Sequence, residues 1–430
     1  MNKALLAIGA VVCVGLIGPK VVGSIVEEKY ADIASRLVDH PTIEVTERSF
    51  TRHWFSGQAR SKMKFKGVEL DHVDIIVSEQ LSFGPIIFAD NSIKFALAHS
   101  AADIQFDVSG LNAAEQKEIA AFTEQLNEKL TVASVISYGL NYSTHIASQA
   151  LVFEQDRTQV SIGALDSEFT LSDEKYLDGY LNWSGLDIKG PKANVQVSPL
   201  TATFAQEVIS GDIYAGNAIA SGDFAMKVEN INAQDNSGNE LLNIDQLSLV
   251  ADSSIEQALM NVQLKYGAER FKGAGQALEK LNLDISLHKL DPKVLIELND
   301  LGMKAQQEPA NAASYGQQLN SAVTKLLATN PEIKINDFSV VTPDGVIQSD
   351  LQLLIDHTLY NQANPMSIIA ALNADAKGIA PLPFFQKLGF EGMINMYIEQ
   401  GFIVKDADKL SFAAQFKQGQ LTVNGNTIAM

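Results

Sequence analysis

One cysteine, Cys13, occurs in 430 residues. It excludes a disulfide within the chain and any thiolate metal cluster, and a cysteine-free body suits an oxidising compartment. Positive charge is also scarce. Lys and Arg number 32 against 51 Asp and Glu, a formal net charge of −19. A polyanion would be repelled, so general nucleic-acid binding is excluded. Catalytic signatures are missing too. There is no G-x-S-x-G elbow and no P-loop, and Gly273-Ala-Gly275 lacks the third glycine of a dinucleotide fingerprint. The seven histidines (His40, His53, His72, His99, His145, His288 and His357) include no pair at the i, i+4 spacing of a helical metal site. Asp235-Asn-Ser-Gly-Asn-Glu240 is acidic, but its glycine and glutamate are misplaced for an EF-hand, so it reads as a hairpin turn. No metal and no cofactor is expected.

What is present begins at the N-terminus. Ala4–Gly18 are fifteen residues without a charge, preceded by Lys3, and VVGSIV extends the run to Val26 after Pro19-Lys20. A signal peptide cleaved after Val21-Val22-Gly23 has this shape. A spanning helix needs about 20 apolar residues, so 4–26 fits one only if Lys20 snorkels. Val26, Tyr30, Ile33 and Leu37 continue as one helical stripe. That continuity favours an uncleaved signal-anchor at 1–26, followed by an amphipathic helical extension at 27–40. Lys3 before the span and Glu27-Glu28 after it orient the N-terminus to the cytoplasm and put the body, 41–430, in the bacterial periplasm.

The body alternates with period 2. Ala102, Ile104, Phe106 and Val108 form one strand face; Leu281, Leu283, Ile285 and Leu287 another; Phe224, Met226 and Val228 a third. This is the antiparallel pattern of one buried and one wet face. Turns fall at Thr342-Pro-Asp-Gly345, at 234–240 and at Lys417-Gln-Gly419. At the C-terminus, Leu410, Phe412, Ala414 and Phe416 should share a strand face as core, with Leu421 and Val423 folded back beside them. Helices are expected from the capping box Asn112-Ala-Ala-Glu115, from Asp291-Pro292, through Tyr315, Leu319, Ala322 and Leu326, and at 383–400. The fold class expected is α+β, mainly antiparallel, with twisted or curved sheets, a few helices laid against them and one elongated domain.

Against the acidic background stands one basic stretch. Arg60, Lys62, Lys64 and Lys66 share one face of a strand, with Arg48 and Arg52 upstream and no acid between Arg48 and Gly67. As structure, this is an outward, charged face that discourages edge pairing. As function, it is a stripe for anionic phospholipid headgroups, each charge worth about 1 kcal/mol near a charged surface. Trp54-Phe55 beside it suits either a core or a membrane interface.

The same stretch carries a resemblance. "TRHWFSGQA" resembles the x-R-G-x-F-S-S-x-A signature of YdgA-like proteins, a bacterial domain-of-unknown-function family, through Arg52, Phe55, Ser56 and Ala59. His53 and Gly57 depart from it. "LSFGPI" is similar to the family's H-G-P turn, with Gly84 and Pro85 kept and Phe83 in place of histidine. "FKQGQLTVNGNTI" is similar to the closing motif, with Asn424 and Gly425. The resemblance implies an inner-membrane-tethered periplasmic protein and brings no catalytic residues; these matches read as structural. The function expected is non-enzymatic binding or scaffolding at the envelope, through lipid or another amphipathic ligand. The alternatives are a structural protein binding cell wall or other envelope proteins and, last, a hydrolase with dispersed carboxylates.

Overall fold

The computed structural model describes residues 3–66, 72–155, 157–307, 312–361 and 363–428. Strand makes up 57% of the chain, so the helices are accessories to antiparallel sheet, as the alternation predicts. The chain divides into two compact units, Met1–Gly190 with Thr203–Ala220, and Pro191–Ala202 with Ser221–Met430. No low-complexity linker marks the division.

The first unit opens with helix α1 (Lys3–Arg36). A meander follows: β1 (Ile43–Arg52), β2 (Ser56–Phe65), β3 (Asp74–Phe83), a two-stranded ribbon of β4 (Ile86–Ala89) and β5 (Ser92–Phe95), and β6 (Ala98–Asp107). Helix α2 (Ala113–Lys129) leads to β7 (Leu130–Ile136) and β8 (Tyr142–Ser148). Beyond these lie β9 (Leu151–Gln155), β10 (Thr158–Ile162), β11 (Leu165–Ser172), β12 (Tyr176–Trp183) and β13 (Leu186–Lys189). Neighbours pair antiparallel in the order β1-β2-β3-β6-β7-β8-β11-β12. The expected capping box is formed: Asn112 Oδ1 accepts from the Ala114 and Glu115 amides, and Glu115 reaches back to the Asn112 amide.

The core of this unit is where α1 lies on the sheet. Val22 and Val26 are buried with Ala59, Leu81, Phe83 and Ala98, and Tyr30 packs its ring 5.3 Å from Phe50. Gly23 permits the approach: a Cβ there would lie 2.8 Å from the Phe83 ring. The helix is also tied by charge. Arg36 donates to both carboxylate oxygens of Asp212 (2.7 and 2.8 Å) and to Glu174 (2.8 Å), while Lys29 meets Glu174 at 2.7 Å.

This packing bears on the C-terminal end of the expected anchor. Among the described residues no helix is long and apolar enough to cross a membrane. From Pro19 onward α1 carries Lys20, Glu27, Glu28 and Lys29 and turns Val22 and Val26 into the β body, so no span runs to residue 26. The side chains of the uncharged run Ala4–Gly18, on which the expectation rested, lie outside those described.

In the second unit, β16 (Ile219–Asp235), β17 (Glu240–Glu256), β18 (Leu259–Gly273), β19 (Gln276–Leu290), β20 (Glu332–Thr342), β21 (Gly345–Ile355), β22 (Leu372–Pro381) and β24 (Lys409–Lys417) pair antiparallel in that order; β14 (Ala193–Val197) precedes them, β23 (Val404–Asp406) flanks β24, and β15 (Leu200–Ser210) belongs to the first unit from Thr203 on. β25 (Gln420–Val423) and β26 (Asn426–Ile428) close the chain through the Asn424-Gly425 turn. Helices α3 (Pro292–Gln307) and α4 (Ala312–Leu327) form a hairpin whose core, Val294, Leu301 and Ala322, packs on Leu298, Tyr315, Leu319 and Leu326 of the same two helices. α5 (Ile368–Ala371) is one turn. The helix expected at 383–400 is two, α6 (Leu382–Lys387) and α7 (Glu391–Glu399), because Gly389 at φ 82° breaks it.

Candidate hydrophobic binding face

Directly opposed residues of an antiparallel ladder point to the same face. Following the register across the second unit gives three consecutive rows. Met226, Leu249, Tyr266, Leu283, Phe338, Ser349, Gly378 and Phe412 form the first. Phe224, Ala251, Leu264, Ile285, Ile335, Leu351, Ala376, Ala414 and Val423 form the second. Ser253, Val262, Leu287, Ile333, Leu353, Ala374, Phe416 and Leu421 form the third. None of these residues is charged. A bulge at Asn336-Asp337 keeps Ile335 and Phe338 on this face although they are three apart. With strands about 4.8 Å apart, eight strands make the first row about 34 Å long.

The opposite face is polar and largely bonds within itself, apart from the buried Asp337 Oδ1. Asp284 accepts from Gln263 at 3.0 Å and from Asn336 at 2.9 Å, Asn336 also reaches Ser286 at 2.6 Å, and Glu332 takes Lys334 at 2.6 Å and Gln352 at 2.7 Å. Acids oppose each other on this face: Asp284 faces Asp337, and Asp223 stands opposite Asp252, where its hydrogen bond pushes the Asp252 carboxyl up. Register alone brings the two together, so no sequence spacing could show them.

The apolar face is open where a core would be closed. Tyr266 is 43% exposed, Phe338 42%, Ile333 40% and Phe412 36%. Phe412 therefore shares the strand face expected of it without being core. Two hollows lie on this side. One, of about 320 Å³, is lined by Leu247, Tyr266, Leu283, Phe338 and Val340. The other, of about 210 Å³, sits at the notch that Ser349 and Gly378 leave in the first row. Leu410 floors it, and Phe385 of α6, Ile394 of α7 and Ile403 roof it. A Cβ on Gly378 would lie 2.6 Å from the Phe412 ring, so the notch depends on glycine. Helices α6 and α7 hold this roof through Leu382, Ile394 and Leu410.

The basic stretch is placed differently from expectation. β2 is paired on both sides, by β1 and β3, so its charges do not guard an edge. Lys62 and Lys64 converge on Asp74 at 2.7 and 3.6 Å, Lys66 donates to the His40 carbonyl at 3.0 Å, and Arg52 pairs with Glu27 at 2.9 Å. Arg48 and Arg60 are exposed. The structure thus spends four of the six cations within the first unit.

The motif residues hold turns. The Phe55 carbonyl accepts from the Phe83 amide, and the Ser56 carbonyl from His53. Ala59 lies in the core beside Val22. Gly84 donates to the Leu97 carbonyl at 2.6 Å, where any Cβ would overlap the Ala96 carbonyl, and the Pro85 carbonyl accepts from the Tyr138 hydroxyl. Asn424 accepts from the Ala413 amide at 2.9 Å and donates to the Gly401 carbonyl at 2.9 Å. In the acidic turn, Asp235 accepts from the amides of Ser237 and Asn239, the work of a turn-forming aspartate.

A family model described as Bacterial protein of unknown function (DUF945) matches residues 1–430, the whole chain. No curated protein matches, and no solved structure matches.

Proposed function

This chain belongs to the DUF945 family of bacterial proteins of unknown function, and from that premise we propose that it is a membrane-tethered envelope protein that shelters the acyl chains of a lipid on the open face of its second unit. The observation that carries the reading is the uncharged three-row face with its exposed Tyr266, Phe338 and Phe412. Soluble monomers rarely leave contiguous apolar area of more than a few hundred Å² in water. A mobile, chain-like apolar ligand suits a long row with shallow hollows better than a compact ligand does. The role is binding, not catalysis.

The tether is the run Ala4–Gly18, with Lys3 ahead of it, and the body then lies in the periplasm. Retention is supported by α1 itself. Cleavage after Gly23 would remove Val22 from the core and leave Phe83 uncovered. Within the family, Arg52, Phe55, Ser56, Ala59 and the closing Asn424-Gly425 support a reading of the chain as similar to the YdgA-like proteins.

The test is lipid analysis by mass spectrometry of the full chain after extraction in mild detergent. Wild type should carry phospholipid, and the double variant Tyr266→Asp/Phe338→Asp should carry several-fold less at an unchanged circular dichroism spectrum. Equal lipid in both would sink the reading. A binding partner made of protein or cell wall would then be the account of the face.

A further inference from the structure

A second apolar surface, in the first unit, has no place in that binding reading. The ribbon β4–β5 pairs Ile86 with Phe95 and Phe88 with Ile93, so four large apolar side chains share one face. That face points outward: Phe88 is 78% exposed and Phe95 70%. The other side of the ribbon is anchored by buried Ile87. Its two-residue turn, Asp90-Asn91, has φ of 49° and 55°, the left-handed pair of a tight hairpin. The Asp90 carboxylate lies 2.8 Å from His99 Nε2 and 3.2 Å from Lys94 Nζ, which fastens the tip. The ribbon is thus held firmly with its apolar face in water.

Its surroundings indicate the occupant. The ribbon starts three residues after Phe83, whose amide bonds the Phe55 carbonyl. Trp54 and Phe55 are each about half exposed. Lys20 Nζ stands 4.9 Å over the Trp54 ring, and Arg52 donates to the Lys20 carbonyl at 3.2 Å. Trp54 and Arg52 thus meet residue 20 of α1, two residues beyond the end of the uncharged run Ala4–Gly18. Fifteen helical residues rise about 22 Å. A hydrocarbon core is about 30 Å thick, so a short span draws its flanking residues into the interface.

We propose that the outer face of the β4–β5 ribbon, together with Trp54 and Phe55, seats in the headgroup and upper acyl layer of the bilayer around the exit of α1. The inference rests on the tether in the proposed function. Aromatic side chains favour that layer, and Lys20, over the Trp54 ring, can snorkel from it to a phosphate group.

The experiment uses the full chain in a Cys13→Ala background. Single cysteines at Phe88 or Ile93, and at Ser237 as a control in the second unit's turn, are labelled with an environment-sensitive fluorophore. The protein is reconstituted into phosphatidylcholine–phosphatidylglycerol vesicles with or without shallow spin-labelled lipid. Probes at 88 and 93 should shift to the blue and be quenched at least about twofold more than the probe at 237. Chain that pellets with vesicles but shows equal quenching at the three positions overturns this inference alone. Chain that does not pellet overturns it together with the tether. A probe at 88 shielded without lipid quenching, with chain-to-chain cross-links from the same cysteine, assigns the face to a second copy and overturns it as well.

Discussion

The two units are built from the same alternating strands and differ in what lies on their apolar faces. In the first, α1 covers the sheet and brings Phe83 to 3% exposure; in the second, Phe338 occupies an equivalent kind of position in an apolar row and stays 42% exposed. The α3–α4 hairpin, which has the apolar stripes to cover a sheet, spends them on itself. Alternation therefore says which residues share a face and nothing about the lid. A face without a lid is either a cost in water or a place for a ligand.

The largest expected effect falls where the lid exists. Phe83→Ala should cost about 3–5 kcal/mol, because it opens a cavity under Val22 and Gly23. Both tryptophans, Trp54 and Trp183, belong to the first unit, so tryptophan fluorescence in urea reads this loss directly. Phe338→Ala, on the open face, should cost about 1 kcal/mol or less and leave that fluorescence transition where it was. Equal destabilisation by the two would erase the contrast between the units.

Next in size is the charge tie of α1. Arg36 holds the Asp212 carboxyl below the usual carboxylate range, and Lys29 and then Arg36 do the same for Glu174. Burial pushes the Tyr214 hydroxyl up to about 12, and Arg36 stacks 4.5 Å over its ring. Depressed folded-state values contribute stability above the unfolded carboxylate value of about 4, and that contribution is lost as pH falls through the folded values. Arg36→Ala should lower stability at pH 7 by about 1 kcal/mol, allowing for solvent screening. Its difference from wild type should shrink below about pH 4. A difference constant from pH 7 to pH 3 would show that the tie is packing and not charge.

Gly378→Leu sharpens the comparison inside the second unit. It fills the notch against Phe412 and should cost about 1–3 kcal/mol through overpacking. If the notch holds lipid, bound phospholipid should fall more for this variant than for Lys377→Leu, on the opposite face of the same strand and outside the notch lining. The smallest effect is expected from Lys62→Gln with Lys64→Gln. Their shared partner Asp74 is largely buried while both ammonium groups reach solvent, and the screened pair is worth about 0.5–1 kcal/mol.

Much of the fold was legible. The capping box at Asn112, Pro292 opening α3, and the turns at Thr342–Gly345 and Asn424-Gly425 all follow from local chemistry that acts within four residues. The candidate site was legible only in part. Leu281, Leu283, Ile285 and Leu287 announce one strand's face, but the join of Leu283 to Tyr266 and Phe338 is set by register across three strands. The notch at Gly378 needs Phe412 from 34 residues away in sequence, and a lone glycine gives no sign of it. The stripe Arg60–Lys66 was legible as charge but not as pairing, for the same reason: Asp74, the acid that meets Lys62 and Lys64, lies on another strand.

Photo-crosslinking in living cells separates the two faces of the second unit most directly. p-Benzoylphenylalanine placed at Phe338 samples the apolar rows, and at Gln263 the polar face of the neighbouring strands. The account predicts lipid adducts on the full chain at 338, seen as mass additions of phospholipid, and none at 263. Adducts of equal yield at both positions, or adducts at 338 made of protein alone, would contradict it.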